Sequence, residues 1–245
     1  MKIEDGQGDK ELYVKNEPVK EGITYYPEFV YSWANRVLHW VRAIVITALS
    51  ITGFYIADPF LSPGNSEDLL FAQWGAWHNI FGSILISAGI LRIYLFFFGK
   101  NHEKETRSIK DVLSIKSWIT QLKSYFFVGE LQKKGIYGPL QFVTYLAIMG
   151  LVVVASLTGL MLYANVYHLG FGALIAEPMA VMTSWLGGLA SVRLIHHITM
   201  WGFLIFIPIH IYLVIWSAIR YKHGALDVMF TGYDYHLKKD KKSKS

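Results

Sequence analysis

Three histidines lie in one long apolar stretch, at about residues 191–219: His196, His197 and His210. Placing an imidazole in hydrocarbon is unfavourable, so histidines inside such a stretch indicate a functional site. His196 and His210 are fourteen residues apart, which in an α-helix puts them within ~40° of one face and ~21 Å apart along the axis. His197 lies ~140° away from the phase of His210. We therefore expect His197 to make a separate polar contact. The alternative is that His197, and not His196, belongs to the functional site.

The composition places these histidines in a membrane. Apolar residues make up 53% of the 245 residues and charged residues only 17%, against about a quarter in a soluble domain. The apolar residues are concentrated in four stretches, which predict transmembrane helices at about 34–56, 73–98, 139–163 and 191–219. The predicted fold is all-α, a polytopic four-helix membrane bundle. Cysteine is absent from the sequence, which excludes disulfides, thiolate-ligated iron–sulfur clusters and cysteine-attached haem.

Polar segments flank and connect the four stretches. Residues 1–33 are predicted to form a solvated arm and residues 220–245 a basic tail. For that tail, a solvated segment next to lipid is favoured over a nucleic-acid-binding one. An amphipathic helix on the membrane surface is predicted at about 115–130. The connections at 57–72 and 164–190 are predicted to be loops.

Positive charge is distributed unevenly over these segments. The arm, the middle segment 99–137 and the tail hold nearly all the lysine and arginine outside the helices, whereas loops 57–72 and 164–190 hold none. Cytoplasmic segments of membrane proteins carry the excess of positive charge. Both termini and the middle segment are therefore predicted to be cytoplasmic, with the two uncharged loops on the outer side.

This topology sorts four histidines into two depths. His39 lies near the cytoplasmic start of the first helix and His78 near the outer start of the second. His78 is therefore predicted to pair with His196 at the outer level, and His39 with His210 at the inner level. Two imidazoles at each depth suit bis-histidine ligation of two b-type haems. Zinc usually takes three or four protein ligands, and a hydrogen bond to a neighbouring helix is the ordinary alternative for any single histidine.

Two residues of the second helix share the face of His78. Gly82 lies one turn after His78, where the missing side chain gives a flat macrocycle room or lets two helices pack closely. Arg92 is fourteen residues after His78, at the inner end of the same face. It is predicted to pair with propionates of the inner haem or to reach lipid phosphate.

Three more arginines lie close to the predicted ligands. Arg36 and Arg42 flank His39 at three residues on either side, and Arg42 is the deeper of the two. Because a buried guanidinium requires an anionic partner, Arg42 is predicted to bind a haem propionate. Arg193, which precedes His196 by almost one turn, is predicted to hold an outer propionate or to anchor the helix.

Long parts of the chain resemble a known family. The similar segments are RVLHWVRA…TGFYI, WHNIFGSIL…LRIYLFFFGK, PLQFVTYLAIMGLVVVASLTGLMLY and HHITMWGFLIFIPIHIYL. In this order they resemble the four helices of the b-type cytochrome subunit of membrane-bound nickel–iron hydrogenases. The gamma subunits of formate dehydrogenases are more distant relatives. The similarity covers about residues 25–235 and implies the same four haem ligands: His39, His78, His196 and His210.

The resemblance also implies a function. A cytochrome of this kind would receive electrons from the iron–sulfur small subunit of a periplasmic hydrogenase and pass them through two b haems to membrane quinone. It would lie in the inner (plasma) membrane of a bacterium or archaeon and perform no hydrogen chemistry itself. Tyr212, two residues after His210, is then predicted to contact quinone. The alternatives are the equivalent anchor of a formate dehydrogenase or thiosulfate reductase, and a transporter with a histidine proton relay.

Overall fold

The structure is a computed structural model that describes residues 25–60, 69–99, 109, 112–125, 138–221 and 227–237. The arm up to residue 24, residues 126–130 of the predicted amphipathic helix and the basic run after residue 237 lie outside the described residues. Two compact units are present. One is Val37–Ile209, and the other combines Met1–Arg36 with His210–Ser245.

Helices make up most of the described chain. In chain order the elements are β1 (Tyr25–Phe29), α1 (Trp33–Ala57), α2 (Leu69–Phe98), α3 (Ile115–Tyr125), α4 (Pro139–Val166), α5 (Phe171–Trp185), α6 (Leu189–Tyr221), α7 (Val228–Thr231) and β2 (Tyr233–Leu237). Within the described residues, α1, α2, α4 and α6 are the four helices long and apolar enough to cross a membrane, with mean hydropathies of 1.6 to 2.2. The predicted all-α bundle of four transmembrane helices is confirmed. Among the four spans, the largest difference between a predicted and an observed helix end is at α2, which begins four residues earlier than predicted.

The four long helices bury little of their surface against each other. Between 11% and 22% of the residues in the most apolar part of each span are buried by protein. Apolar surface of this extent is not stable in contact with water. Lipid or a bound cofactor therefore has to cover the larger part of each span.

Where the helices meet, they form an apolar layer with one buried side chain from each helix. The layer consists of Val45 from α1, Leu85 from α2, Val152 from α4 and Phe203 from α6. Partly buried aliphatic and aromatic side chains of the same helices surround it. The layer fixes the four helices at one height and so sets the rotation of each helix about its axis.

Glycines bring α4 close to its neighbours at this height. A Cβ on Gly202 of α6 would lie 2.9 Å from Cδ1 of Leu151, which is closer than real Cβ atoms come to another side chain. A Cβ on Gly89 of α2 would meet Val152 at 3.5 Å. Small residues of this kind allow close packing in membrane bundles, and here they leave room for side chains of α4 against α2 and α6.

A small antiparallel sheet joins the two ends of the described chain. Strand β1 pairs with β2 from Tyr25 opposite Leu237 to Phe29 opposite Tyr233. The sequence did not predict this sheet, because residues 25–29 were assigned to the solvated arm. Strands that are about two hundred residues apart leave no local turn signal from which their pairing could be inferred.

The connection between α4 and α6 is also more ordered than predicted. The prediction of a loop over 164–190 is wrong at Phe171–Trp185, where the structure has the fifteen-residue helix α5. Helix α5 packs against α4. Its sequence, FGALIAEPMAVMTSW, contains a single charged residue, and positive φ angles at Gly170 before it and Gly187 after it delimit the helix.

Helix α3 begins at the predicted residue and is tied to a transmembrane helix. The side chain of Gln121 is buried, and its Oε1 accepts a hydrogen bond of 2.9 Å from the backbone N–H of Leu140. That N–H belongs to the first turn of α4, where backbone donors have no partner inside the helix. Gln121 therefore caps α4 and fixes α3 beside its start.

Candidate functional site

Two of the predicted ligands lie next to each other in the unit Val37–Ile209. His78 projects from α2 and His196 from α6, and their ring centroids are 6.2 Å apart with an angle of 67° between the ring planes. Two metal–imidazole bonds of about 2 Å, together with the two ring radii, span about 6 Å. The spacing therefore matches a single metal ion between the two rings.

A threonine holds each ring at Nδ1. Oγ1 of Thr52, on α1, lies 2.8 Å from Nδ1 of His78. Oγ1 of Thr158, on α4, lies 2.8 Å from Nδ1 of His196. Both threonines are buried. Since Nδ1 of each ring is occupied, Nε2 is the nitrogen of each histidine that is left for a metal.

A glycine follows each threonine and lies beside the same ring. A Cβ on Gly53 would be 3.5 Å from Cε1 of His78, and a Cβ on Gly159 would be 3.4 Å from Cε1 of His196. At Gly82, by contrast, a Cβ would meet no atom of the described residues within 4 Å. The rings are thus packed on the threonine–glycine side, and there is space beside Gly82.

The donor set fits haem better than a metal ion held by protein alone. Within the described residues, no group of three or more His, Cys, Asp or Glu side chains could hold a metal ion. A protein zinc site would need such a group, whereas haem iron needs only the two axial nitrogens because the porphyrin supplies the others. Two opposed imidazoles, oriented at Nδ1 and set in apolar surroundings, meet that requirement.

Sequence reasoning missed Thr52 and Thr158. A signal was present, because Ser-x-Thr-Gly occurs twice, at residues 50–53 and 156–159. Each copy lies on a helix next to a ligand helix, and in each copy the threonine contacts a histidine. The repeat is only four residues long, and its two copies contact histidines on different helices. Its role is therefore visible in the contacts of the folded chain and not in the sequence.

His197 lies in different surroundings from its neighbour His196. Its Nε2 accepts a hydrogen bond of 3.2 Å from the indole N–H of Trp201. Its ring centroid is 6.4 Å from that of Phe54 on α1. The polar contact expected for His197 is therefore present, and it occupies Nε2, the nitrogen that stays available on His78 and His196.

Two arginines converge on one part of α4. Arg92 is buried, with its guanidinium carbon 5.0 Å from the ring centroid of Tyr145. Arg42 donates from Nε to the carbonyl of Leu38 at 3.0 Å, and its Nη1 lies 3.8 Å from Sδ of Met149. Tyr145 and Met149 are one helical turn apart, so α1 and α2 each bring a positive charge to the N-terminal half of α4.

The remaining predicted residues are not brought together in the same way. His39 lies in the unit Val37–Ile209 and His210 in the other unit, and their pairing stays a prediction. Arg36 donates a hydrogen bond to a backbone carbonyl of the C-terminal segment. Arg193 is exposed, and Tyr212 is 63% exposed.

Comparison with known proteins identifies the family of the chain. The model of the family described as prokaryotic cytochrome b561 matches residues 30–232. Similar curated proteins are named probable Ni/Fe-hydrogenase B-type cytochrome subunit. The protein of Rhodobacter capsulatus is 27% identical over 84% of this chain and 80% of its own length. The protein of Cupriavidus necator is 27% identical over 88% of this chain and 90% of its own length. The hydrogenase 1 subunit of Escherichia coli K12 is 22% identical over 85% of this chain and 91% of its own length.

Proposed function

The chain belongs to the prokaryotic cytochrome b561 family, and from this premise we propose that it is the di-haem membrane anchor of a periplasmic uptake nickel–iron hydrogenase. In this role it carries electrons from the iron–sulfur small subunit, by way of two b haems, to quinone in the inner membrane. It is a multi-pass membrane protein with four spanning helices. The names of the similar proteins support a hydrogenase as the partner.

The observation that carries the proposal is the pair of rings at the outer level. His78 and His196 come from different helices, lie 6.2 Å apart, and are each held at Nδ1 by a buried hydroxyl. Such hydrogen bonding from a second group is typical of histidines that bind metals. A proton relay would need neither two opposed rings nor two matched orienting groups.

The outer haem is assigned to His78 and His196, and the inner haem to His39 and His210. When bound, haem b supplies one-electron chemistry at its iron. The inner assignment rests on the sequence, because His210 follows His196 by fourteen residues on the same helix and nearly the same face. His39 of α1 is predicted to lie at the same depth as His210. Helix α6 thus provides one ligand to each haem.

The convergent arginines are assigned to the propionates of the inner haem. A buried guanidinium is unfavourable unless it faces an anion, and Arg42 and Arg92 approach α4 from two sides at the cytoplasmic half of the bundle. Two carboxylates between them would balance both charges. Arg36 and Arg193 are nearer the two membrane surfaces and are proposed as weaker propionate contacts.

The two ends of the electron path follow from the topology. The hydrogenase docks on the outer side, where the connections 57–72 and 164–190 carry no lysine or arginine. Quinone is reduced on the cytoplasmic side, beside the inner haem, with Tyr212 as a contact. Hydrogen is oxidised on the partner and not on this chain.

The test is a haem count on the chain purified together with its partner. We expect a b-type absorption spectrum on reduction and about two haems per chain. The variants His78→Ala and His210→Ala should each lose about one haem. A chain without haem, or one that keeps both haems in these variants, would refute the proposal. Co-purification of a formate dehydrogenase or thiosulfate reductase would keep the haem assignment and replace the partner.

A further inference from the structure

Thr52 and Thr158 make the same set of hydrogen bonds on two different helices. Oγ1 of Thr52 lies 2.9 Å from the carbonyl oxygen of Ala48 and 2.8 Å from Nδ1 of His78. Oγ1 of Thr158 lies 2.6 Å from the carbonyl oxygen of Val154 and 2.8 Å from the corresponding nitrogen of the outer-level histidine on α6. Each hydroxyl therefore stands between a backbone acceptor and an imidazole nitrogen.

The direction of these hydrogen bonds follows from the number of protons. A hydroxyl has one hydrogen, a carbonyl oxygen can only accept, and a neutral imidazole carries its proton on one nitrogen. Both contacts of each hydroxyl are satisfied only when Oγ1–H donates to the carbonyl and Nδ1–H donates to Oγ1. If the hydroxyl instead donated to Nδ1, its oxygen would face the carbonyl oxygen with no hydrogen between them, and Nε2 would carry the imidazole proton.

We propose that Thr52 and Thr158 are matched positioning residues, which hold His78 and His196 in the tautomer with Nδ1 protonated and Nε2 free to bind one iron. The inference deepens the proposed function and rests on it. A chain of hydrogen bonds from imidazole through hydroxyl to carbonyl polarises the ring and raises its basicity as a ligand. A more basic axial ligand favours ferric over ferrous iron, so the two threonines also lower the reduction potential of the outer haem.

The glycine after each threonine completes the arrangement. Gly53 and Gly159 lie directly beside the two rings, since a Cβ at either position would be in van der Waals contact, at 3.5 and 3.4 Å, with the Cε1 atom of the ring. In each Thr-Gly pair, the threonine hydroxyl orients the ring and the glycine lies against the same ring. The two copies act on the two opposite ligands of a single site, which distinguishes this arrangement from the common back-bonding of threonine within a helix.

The test removes one hydroxyl at a time without changing side-chain shape. Thr52→Val and Thr158→Val should each weaken outer haem binding about tenfold or more and raise the midpoint potential of that haem. A tenfold loss of preference for ferric iron corresponds to about 59 mV. Thr52→Ser and Thr158→Ser keep the hydroxyl and should restore both properties. The inner haem, measured in the same sample, reports that the bundle has assembled.

Matched controls lie on the same two helices. Thr47 on α1 donates to the carbonyl of Ala43 at 2.9 Å, and Thr144 on α4 donates to that of Leu140 at 2.8 Å. Valine at these positions should change neither haem content nor potential. If a valine variant of Thr52 or Thr158 does not assemble, alanine at the same position removes the hydroxyl with less bulk.

Two outcomes separate the inference from the function on which it rests. If the valine variants have the haem content and the midpoint potential of the unchanged protein while His196→Ala loses haem, the positioning role is refuted. The haem assignment then stands. If His78→Ala and His196→Ala keep both haems, the proposed function itself fails. Both results come from haem content and redox titration, with no measurement of hydrogenase activity.

Discussion

At the scale of single residues, the phase of a helix distinguishes two adjacent histidines. One step along a helix rotates a side chain by about 100°. His196 consequently meets Thr158 and His78, whereas His197 meets Trp201 and Phe54. The same residue type in the next position therefore makes an aromatic and polar contact between α1 and α6 in place of the contacts of the proposed ligand.

This difference predicts opposite outcomes for two neighbouring substitutions. His196→Ala should lose the outer haem, because the second axial nitrogen is removed. His197→Ala should keep about two haems per chain, since it loses only an exposed hydrogen bond worth about 1 kcal/mol. Haem content of the two purified variants provides the measurement. Loss of haem from the His197 variant alone would mean that the ligand is the other histidine.

At the scale of the elements, the apolar layer meets α6 midway between its two proposed haem ligands. Phe203 is seven residues from His196 and seven from His210, or ~10 Å from each along the helix. In α2, Leu85 is also seven residues after His78. The four-helix contact thus lies between the two proposed haem levels and holds the ligand helices in register.

Phe203→Ala should therefore destabilise the bundle strongly. Phe203 is buried, and truncating a buried phenylalanine costs about 3 kcal/mol or more in soluble cores. We expect a value near the low end of that range, because apolar side chains of a membrane bundle leave lipid rather than water when the helices pack. Thermal loss of the haem spectrum in detergent measures the effect. Phe97→Ala is the matched control, since Phe97 is 55% exposed, and an equal loss in both variants would argue against the layer.

At the scale of the whole molecule, the distribution of charge predicts the orientation in the membrane. The two segments without lysine or arginine lie at the same ends of the spans, and the cationic segments lie at the opposite ends. The proposed placement of one haem near the hydrogenase and the other near the cytoplasm follows from this pattern. The proposed direction of electron flow depends on it.

The absence of cysteine makes this orientation directly testable. A single cysteine at His168, which is exposed in the outer connection, should react with a membrane-impermeant maleimide in spheroplasts, in which the periplasmic face is accessible. A cysteine at Lys123 of α3 should react only after the membrane is permeabilised. The opposite labelling pattern would reverse the topology and exchange the outer and inner haem levels.

Much of the fold and part of the site were determined by the sequence alone. Length and apolarity set the four spans, since a helix needs about twenty apolar residues to cross a bilayer. Cation placement predicted the orientation. The phase of His196 and His210 on one helix follows from helical periodicity, which depends only on residue number. The family resemblance, drawn from the same residues, is confirmed by the match over residues 30–232.

The tertiary structure alone decided how the helices are rotated against each other and which distant segments meet. Periodicity orders the residues of one helix, but no local rule states which face of α1 meets α2. The contacts of Thr52 and Thr158 with the histidines therefore appear only in the assembled unit. The same reason applies to β1 and β2, since hydrogen bonds between distant strands depend on where the intervening helices bring the chain ends.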